Sequence, residues 1–334
     1  MPSYLLKRTV RAVVTLWLVV TLTFGMIRLL PGGPLTQLRG QLIRQGYPPQ
    51  QITQLIETYQ NLQPDAPLYV QYYQYVTALV QGDLGQSFAY PEPVAAIIAD
   101  ALPWTVFVMV ISTVIIFAIA IVGGALMAYK EGSTFDTLTS GASILLASIP
   151  FYVLAIALIV VFGYKYGVFP VRYRVGSDVS AGFNLPFVLS AIRHAILPIV
   201  SLVVTTTGLQ VLAMRGNSIS VLGEDYVRVA RLRGIADGRI AVRYVGRNAI
   251  LPMYTGFLTL VAGNLGGSVI LEEIFTYNGV GYYLFQGLQN RDYPLMMGIF
   301  LVITAALVIS VYIADLTYGR IDPRVQTGDS SEAY

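Results

Sequence analysis

The stretch 224–252, EDYVRVARLRGIADGRIAVRYVGRNAILP, holds six Arg and three acids between long apolar runs. Glu224 and Asp225 fit the first turn of a helix, where negative charge meets the positive end of the dipole. Val227, Ala230 and Gly234 share one face, with Arg231 beside them. Arg231 and Arg233 fall in the last turn, and Gly234 fits a C-terminal stop. Asp237 is placed to cap a second piece reaching about Tyr244. The spacing therefore predicts a short helix lying along a membrane surface. Its Arg content fits anionic lipid headgroups or a docked protein. No recognition fold accompanies the basic residues, which argues against nucleic acid.

The surroundings make the membrane necessary. Of 334 residues, 55% are hydrophobic and 12% charged, and the mean hydropathy is +0.64. Soluble domains carry about 25% charged residues, so much of this chain has lipid as its solvent. There is no Cys, and the one His, His194, cannot build a histidine metal cluster. The basic and then apolar start resembles a signal peptide. Its apolar run is longer than the usual h-region and ends in IRLLPGGP, so an uncleaved first helix is the better reading.

Six stretches are long and apolar enough to cross: 9–30, 103–129, 138–164, 194–214, 249–271 and 293–316. Lipid offers no partner for a free N–H or C=O, so each is expected to be helical. Pro103 suits a first turn. Pro150, Pro198 and Pro252 are expected to kink spans or mark their beginnings. The fold class is thus an all-α polytopic membrane protein with six transmembrane helices. Lys7, Arg8 and Arg11 place the N-terminus in the cytoplasm, and an even count brings the C-terminus to the same side. That orientation puts 13 of the 21 basic residues inside. The segment 165–193 runs against the bias, with four basic residues and one acid. The chain divides into a first helix (1–30), an external region (31–102), a core of five helices (103–316) with a cytoplasmic loop (215–248), and a tail (317–334). Within the external region, residues 50–62 look helical, and Val70, Tyr73, Thr77 and Val80 fall at helical spacing. That region reads either as a helical cap on the bundle or as a surface for an external partner.

The spans lack the intramembrane carboxylates and His relays that ion-coupled carriers need. Asn264 is the main strongly polar residue deep in a span. Thr205–Thr207 and the Gly-rich 263–267 are explained by helix packing. There is no G-x-x-x-x-G-K-[ST] phosphate loop, no Ser/His/Asp set and no paired-carboxylate site. If ATP drives the protein, another chain binds it.

EDYVRVARLRG followed by RNAILP resembles the cytoplasmic EAA loop of ABC importer permeases, in the version found among oligopeptide and dipeptide permeases. Arg228–Val229–Ala230 stands at the EAA place, without a literal Glu-Ala-Ala, and Gly234 is its glycine. The distance from Gly234 to Pro252 matches the peptide branch better than the sugar or phosphate branches. Four other stretches are similar to the family in its order: 5–34, with Gly33 where Asp is frequent; 66–88; 275–298; and 315–325.

The resemblance implies a six-helix subunit of a type I ABC importer in a prokaryotic plasma membrane. Its implied partners are a second homologous permease, two ATP-binding chains and an extracytoplasmic substrate-binding protein, besides membrane lipid. ATP and Mg belong to the ATPases, and this chain carries no cofactor or metal and is not itself an enzyme. Coupling is assigned to Glu224, Asp225, Tyr226, Val227, Arg228, Val229, Ala230, Arg231 and Gly234. In a groove of one ATPase, Val227, Val229 and Ala230 are expected to pack, the charged residues to fix docking, and Gly234 to turn the chain. The implied cargo is peptide, with nickel chelate, glutathione or another small solute as alternatives. A stand-alone channel or carrier, and a docking scaffold, are less favoured readings.

Overall fold

A computed structural model describes residues 2–29, 39–40, 42–44, 46–60, 66–236, 239–250, 253–254, 256–257 and 269–321. Their regular elements are helices, and the only β pairing among them is one isolated bridge, Gln86 to Pro93. The α-helices are α1 (Pro2–Leu29), α2 (Pro49–Gln60), α3 (Leu68–Val80), α4 (Val94–Tyr129), α5 (Thr134–Ala147), α6 (Phe151–Leu158), α7 (Leu185–Leu222), α8 (Asp225–Leu232), α9 (Val269–Ile274), α10 (Val280–Asn290) and α11 (Tyr293–Ile321). Two π-helical stretches, Ile159–Lys165 and Ile240–Gly246, continue from α6 and precede the expected fifth span.

Among the described residues, four helices are long and apolar enough to cross a membrane, through Leu6–Gly25, Val94–Tyr129, Leu185–Leu222 and Tyr293–Ile313. Thr134–Ala147 and Phe151–Lys165 make a fifth candidate only as a bent pair, with an angle of 86° between them. The expected span over 138–164 is therefore sharply bent, at the proline expected to kink it. Pro150, the N-cap of α6, lacks the N–H that would carry α5 onward. Most of the expected fifth span, 249–271, lies outside the described residues, as does Pro252. Pro198 sits inside α7, which continues through it.

Pro103 is not in a first turn. α4 begins at Val94, nine residues earlier. The extra turns form because they have something to bury: Val94, Ile97, Ile98 and Ala101 pack with Val280, Leu295 and Ile299. Thr105 Oγ1 accepts the Val280 N–H at 2.9 Å and so satisfies the start of α10.

The chain gathers into two units. The first takes residues 1–105 and 278–312, with 265–269. In it, α3 packs on α1 through Phe24, whose ring lies 5.3 Å from Tyr72 and 5.5 Å from Tyr75. The Thr21 and Tyr72 hydroxyls are 2.7 Å apart. The predicted helix is present, but Tyr73 and Val80 face outward; Gln71 and Tyr75 are the buried side chains. A carboxylate organises the far end of this unit. Asp292 is fully buried. Its Oδ2 accepts the Ser87 hydroxyl and the Phe88 and Ala89 N–H groups, the last two at 2.9 Å, and its Oδ1 accepts the Leu295 N–H at 3.2 Å. One side chain thus caps α11 and holds the turn after Gln86. A buried charge is tolerated where donors fill its lone pairs in this way.

The second unit takes residues 106–264, 270–277 and 313–334. Its core joins Ile116, Phe117, Ala120 and Met127 of α4 to Val211 and Met214 of α7 and to Ala249 and Met253. α5 crosses α7 backbone to backbone. A Cβ on Gly208 would lie 2.2 Å from the Ser143 carbonyl oxygen, so only glycine allows that approach.

Candidate functional site: the charged loop after α7

α7 runs 38 residues and stops at Gly223. Two residues later α8 begins, with Glu224 as N-cap and Asp225 in its first turn. The Glu224 side chain makes no capping hydrogen bond; its carbonyl accepts the Val227 and Arg228 N–H groups. Arg231 occupies the last turn, where a cation favours the negative end of the dipole.

The stop is well defined. Gly234 has φ +69°. Its N–H donates to the Arg231 carbonyl at 2.9 Å, and the Ile235 N–H donates to the Ala230 carbonyl at 3.2 Å. These are the two bonds of a Schellman motif. Ile235 also joins the apolar cluster that contains Ala230, which is the hydrophobic contact of that motif. The turn predicted at Gly234 is present and has a complete hydrogen-bond account.

The nine predicted residues fall into two sets. Val227 and Ala230 are buried, packed with Ile240 and Val245 of the second π-helix and with Val221, Leu222, Ile235 and Tyr244. They fasten α8 to its own loop. Glu224, Asp225, Tyr226, Arg228, Val229, Arg231 and Gly234 are exposed. Val229 is 45% exposed, and with Tyr226 (41%) and Leu232 (83%) it forms an outward apolar stripe three residues apart. Arg228 and Asp225 approach to only 3.8 Å, with side chains 76% and 95% exposed. The Tyr226 hydroxyl accepts from Asn248 Nδ2 at 2.9 Å, and that amide also donates to the Tyr244 carbonyl at 2.8 Å. RNAILP is thereby tied to EDYVRV. Asp237, the expected cap of the second piece, lies outside the described residues.

Sequence reasoning missed Leu232 and missed the brace beneath the loop. Arg215, two turns before the end of α7, forks onto Asp136: Nε donates to Oδ1 at 2.6 Å and Nη2 to Oδ2 at 2.7 Å. Asp136 Oδ2 also accepts the Gly132 N–H at 3.1 Å, and Ser133 Oγ caps α5 by accepting the Asp136 N–H. The bidentate geometry fixes angle as well as distance. The turn joining α4 to α5 is thus locked to the helix that carries the charged loop. Half of this was readable, since Ser133-x-x-Asp136 before an apolar run is a capping signature. Among the described residues no group of three His, Asp or Glu could hold a metal ion.

α8 is thus a short amphipathic helix, fixed on its inner side and bearing apolar and cationic groups outside. Residues 120–327 match the binding-protein-dependent transport system inner membrane component family, and residues 1–109 match the corresponding N-terminal family. The chain belongs to this permease family. It is 32% identical to the oligopeptide transport system permease protein AppB of Bacillus subtilis, over 98% of this chain and 100% of that one. It is 32% identical to the di/tripeptide transport system permease protein DppB of Pseudomonas aeruginosa, over 98% and 99%. The dipeptide transport system permease protein DppB of Escherichia coli K12 is 29% identical over the same shares. The matches place the permease in the inner membrane as one component of a transport system.

Proposed function

We propose that the chain is the peptide-conducting permease subunit of an ATP-driven importer, and that α8 is its coupling helix. The observation that carries this reading is the two-sided burial of α8. Val227 and Ala230 make it rigid with the loop, while Tyr226, Val229, Leu232, Arg228 and Arg231 stay exposed on its outer side. The partner's complementary groove has an apolar floor and an acidic rim. In this reading two cytoplasmic ATP-binding chains supply ATP, Mg and hydrolysis, a second permease completes the pathway, and an external binding protein delivers peptide. The same reading keeps both termini in the cytoplasm and six transmembrane helices, as in a type I permease. Nucleotide-driven closure moves α8, and the Arg215–Asp136 brace carries that movement into α5 and α7. Transport then follows from two packings of the bundle with different affinities for ATP, partner and peptide.

The test is uptake of a mixed peptide pool by the complete transporter in liposomes, beside a Gly234→Pro, Arg228→Glu double variant. ATP-dependent uptake by the wild type, with the ATPase uncoupled or released in the variant, is the expected result. Uptake that ignores ATP, or equal uptake by both, sinks the coupling role. A finer test uses Leu232→Asp, at a site that touches nothing in this chain's core. It is expected to leave the thermal midpoint of the isolated permease unchanged and to weaken ATPase docking about tenfold or more.

A further inference from the structure

At the end of α7 opposite α8, about 57 Å away at 1.5 Å per residue, a cavity of about 500 Å³ opens between the first turns of α7 and the segment after the first π-helix. Val168, Asp178, Val179, Ser190, Arg193 and His194 line it. Its volume falls in the range of small-molecule sites. Its walls are held by local bonds. The Gly176 N–H donates to Ser190 Oγ at 2.9 Å, Arg193 Nη2 donates to the Val168 carbonyl at 2.8 Å, and the Val179 N–H donates to the Gly176 carbonyl. A Cβ built on Gly176 would lie 2.4 Å from Asp178 Oδ1 and 3.3 Å from Ser190 Oγ, so both side chains crowd that glycine. Arg193 follows Ser190 by one helical turn.

The cavity therefore presents one anion and one cation to the same space. Among the described residues no ion pair joins Asp178 to Arg193 or to any other group. The Arg193 fork has five N–H donors, and the Val168 carbonyl takes one nitrogen. Two opposite charges that line one cavity with no ion pair between them match a solute that carries both charges itself.

We propose that this cavity is a receiving site for small zwitterions, with Asp178 taking a free ammonium group and Arg193 a free carboxylate. Its placement on the side that receives cargo rests on the importer reading above. The ligand class rests on the cavity alone.

The chain has no Cys, so Val179→Cys gives a single thiol in the cavity wall. The complete transporter, reconstituted in nanodiscs, is labelled with a maleimide with and without millimolar alanyl-alanine. Labelling is expected to slow roughly two- to fivefold with the zwitterion, the scale of exposed ion pairs. The N-acetylated, C-amidated dipeptide is expected to give no protection. In the Val179→Cys background, Asp178→Asn is expected to remove protection by the amidated, amine-bearing dipeptide only, and Arg193→Gln that by the acetylated, carboxylate-bearing one only. Equal rates with and without dipeptide overturn the proposal. So does protection that survives both substitutions, or a thiol that never labels because a partner chain covers it. Failure of the importer reading shows separately, as absence of ATP-driven uptake by the wild type.

Discussion

Two Asp–Arg pairs stand within one loop and its support, and they differ in almost every physical respect. Asp225 and Arg228 lie on adjacent turns of one short helix, 3.8 Å apart and bathed in solvent. Asp136 and Arg215 lie 79 residues apart and meet in a two-bond fork at 2.6 and 2.7 Å, with the Asp136 side chain 5% exposed. The first pair costs little to form and returns little, because water screens it and both side chains keep their freedom. The second pair is desolvated and geometrically locked, so each partner depends on the other. The lesson is that the charges visible in the sequence as a cluster are the ones free to serve a partner. The pair that holds the support together is the one that sequence distance hides.

The largest expected effect breaks the hidden pair. Asp136→Asn leaves the Arg215 guanidinium without its counter-charge and weakens the hold on Gly132. Arg215→Gln leaves the carboxylate unpaired. Each is expected to lower the thermal midpoint of the purified permease by several degrees and to reduce coupled uptake more than it reduces ATPase binding. The charge-exchanged double variant, Asp136→Arg with Arg215→Asp, is expected to recover part of the loss. If both single variants melt like the wild type, the brace is ornamental and α8 must move the bundle by another route.

A smaller effect is expected at the end of α8. Gly234 sits at φ +69°, and a Cβ there meets no atom within 4 Å. Alanine therefore brings backbone strain alone, about 1 kcal/mol. Asparagine, which tolerates the left-handed region, costs less. Amide exchange read across Asp225–Leu232 is expected to speed up in the order Gly, Asn, Ala. An unchanged rate in Gly234→Ala would mean that Val227 and Ala230 hold the helix without the Schellman turn.

The same contrast explains how far the sequence could be read. α8, its acidic start and its glycine stop are local signals, each within one or two turns, and all were legible. Long apolar runs announced the spans by composition. What failed was the ordering of neighbours. α4 begins nine residues before Pro103 because Val94, Ile97 and Ile98 find Val280 and Leu295, which no window around Pro103 contains. α3 turns Gln71 and Tyr75 inward because Phe24 waits there, against a stripe pattern that favoured Tyr73 and Val80. Asp292 reads as one acid in a loop, yet its acceptors are filled from residues 203 to 205 positions away. Within the loop, Val227, Val229 and Ala230 were grouped for an ATPase groove on hydrophobicity alone, and of the three only Val229 is exposed. Its neighbours Val227 and Ala230 had already filled the inner face, so Val229 was left outside with Leu232.

The smallest expected effect sharpens the comparison most. A double-mutant cycle of Asp225→Asn and Arg228→Gln in the isolated permease should give a coupling energy below about 0.5 kcal/mol. It should vanish near 1 M salt, where the screening length is about 3 Å. With the ATPase chains bound, Arg228→Gln alone should weaken the complex, because there the guanidinium faces a partner instead of water. The two measurements separate two uses of one residue. A coupling of 2 kcal/mol or more in the isolated chain would make Arg228 a structural residue and move the docking role to Arg231 and the apolar stripe. A negligible coupling with a clear loss of partner binding leaves Arg228 as a group that α8 holds outward, unneutralised, for the chain it meets.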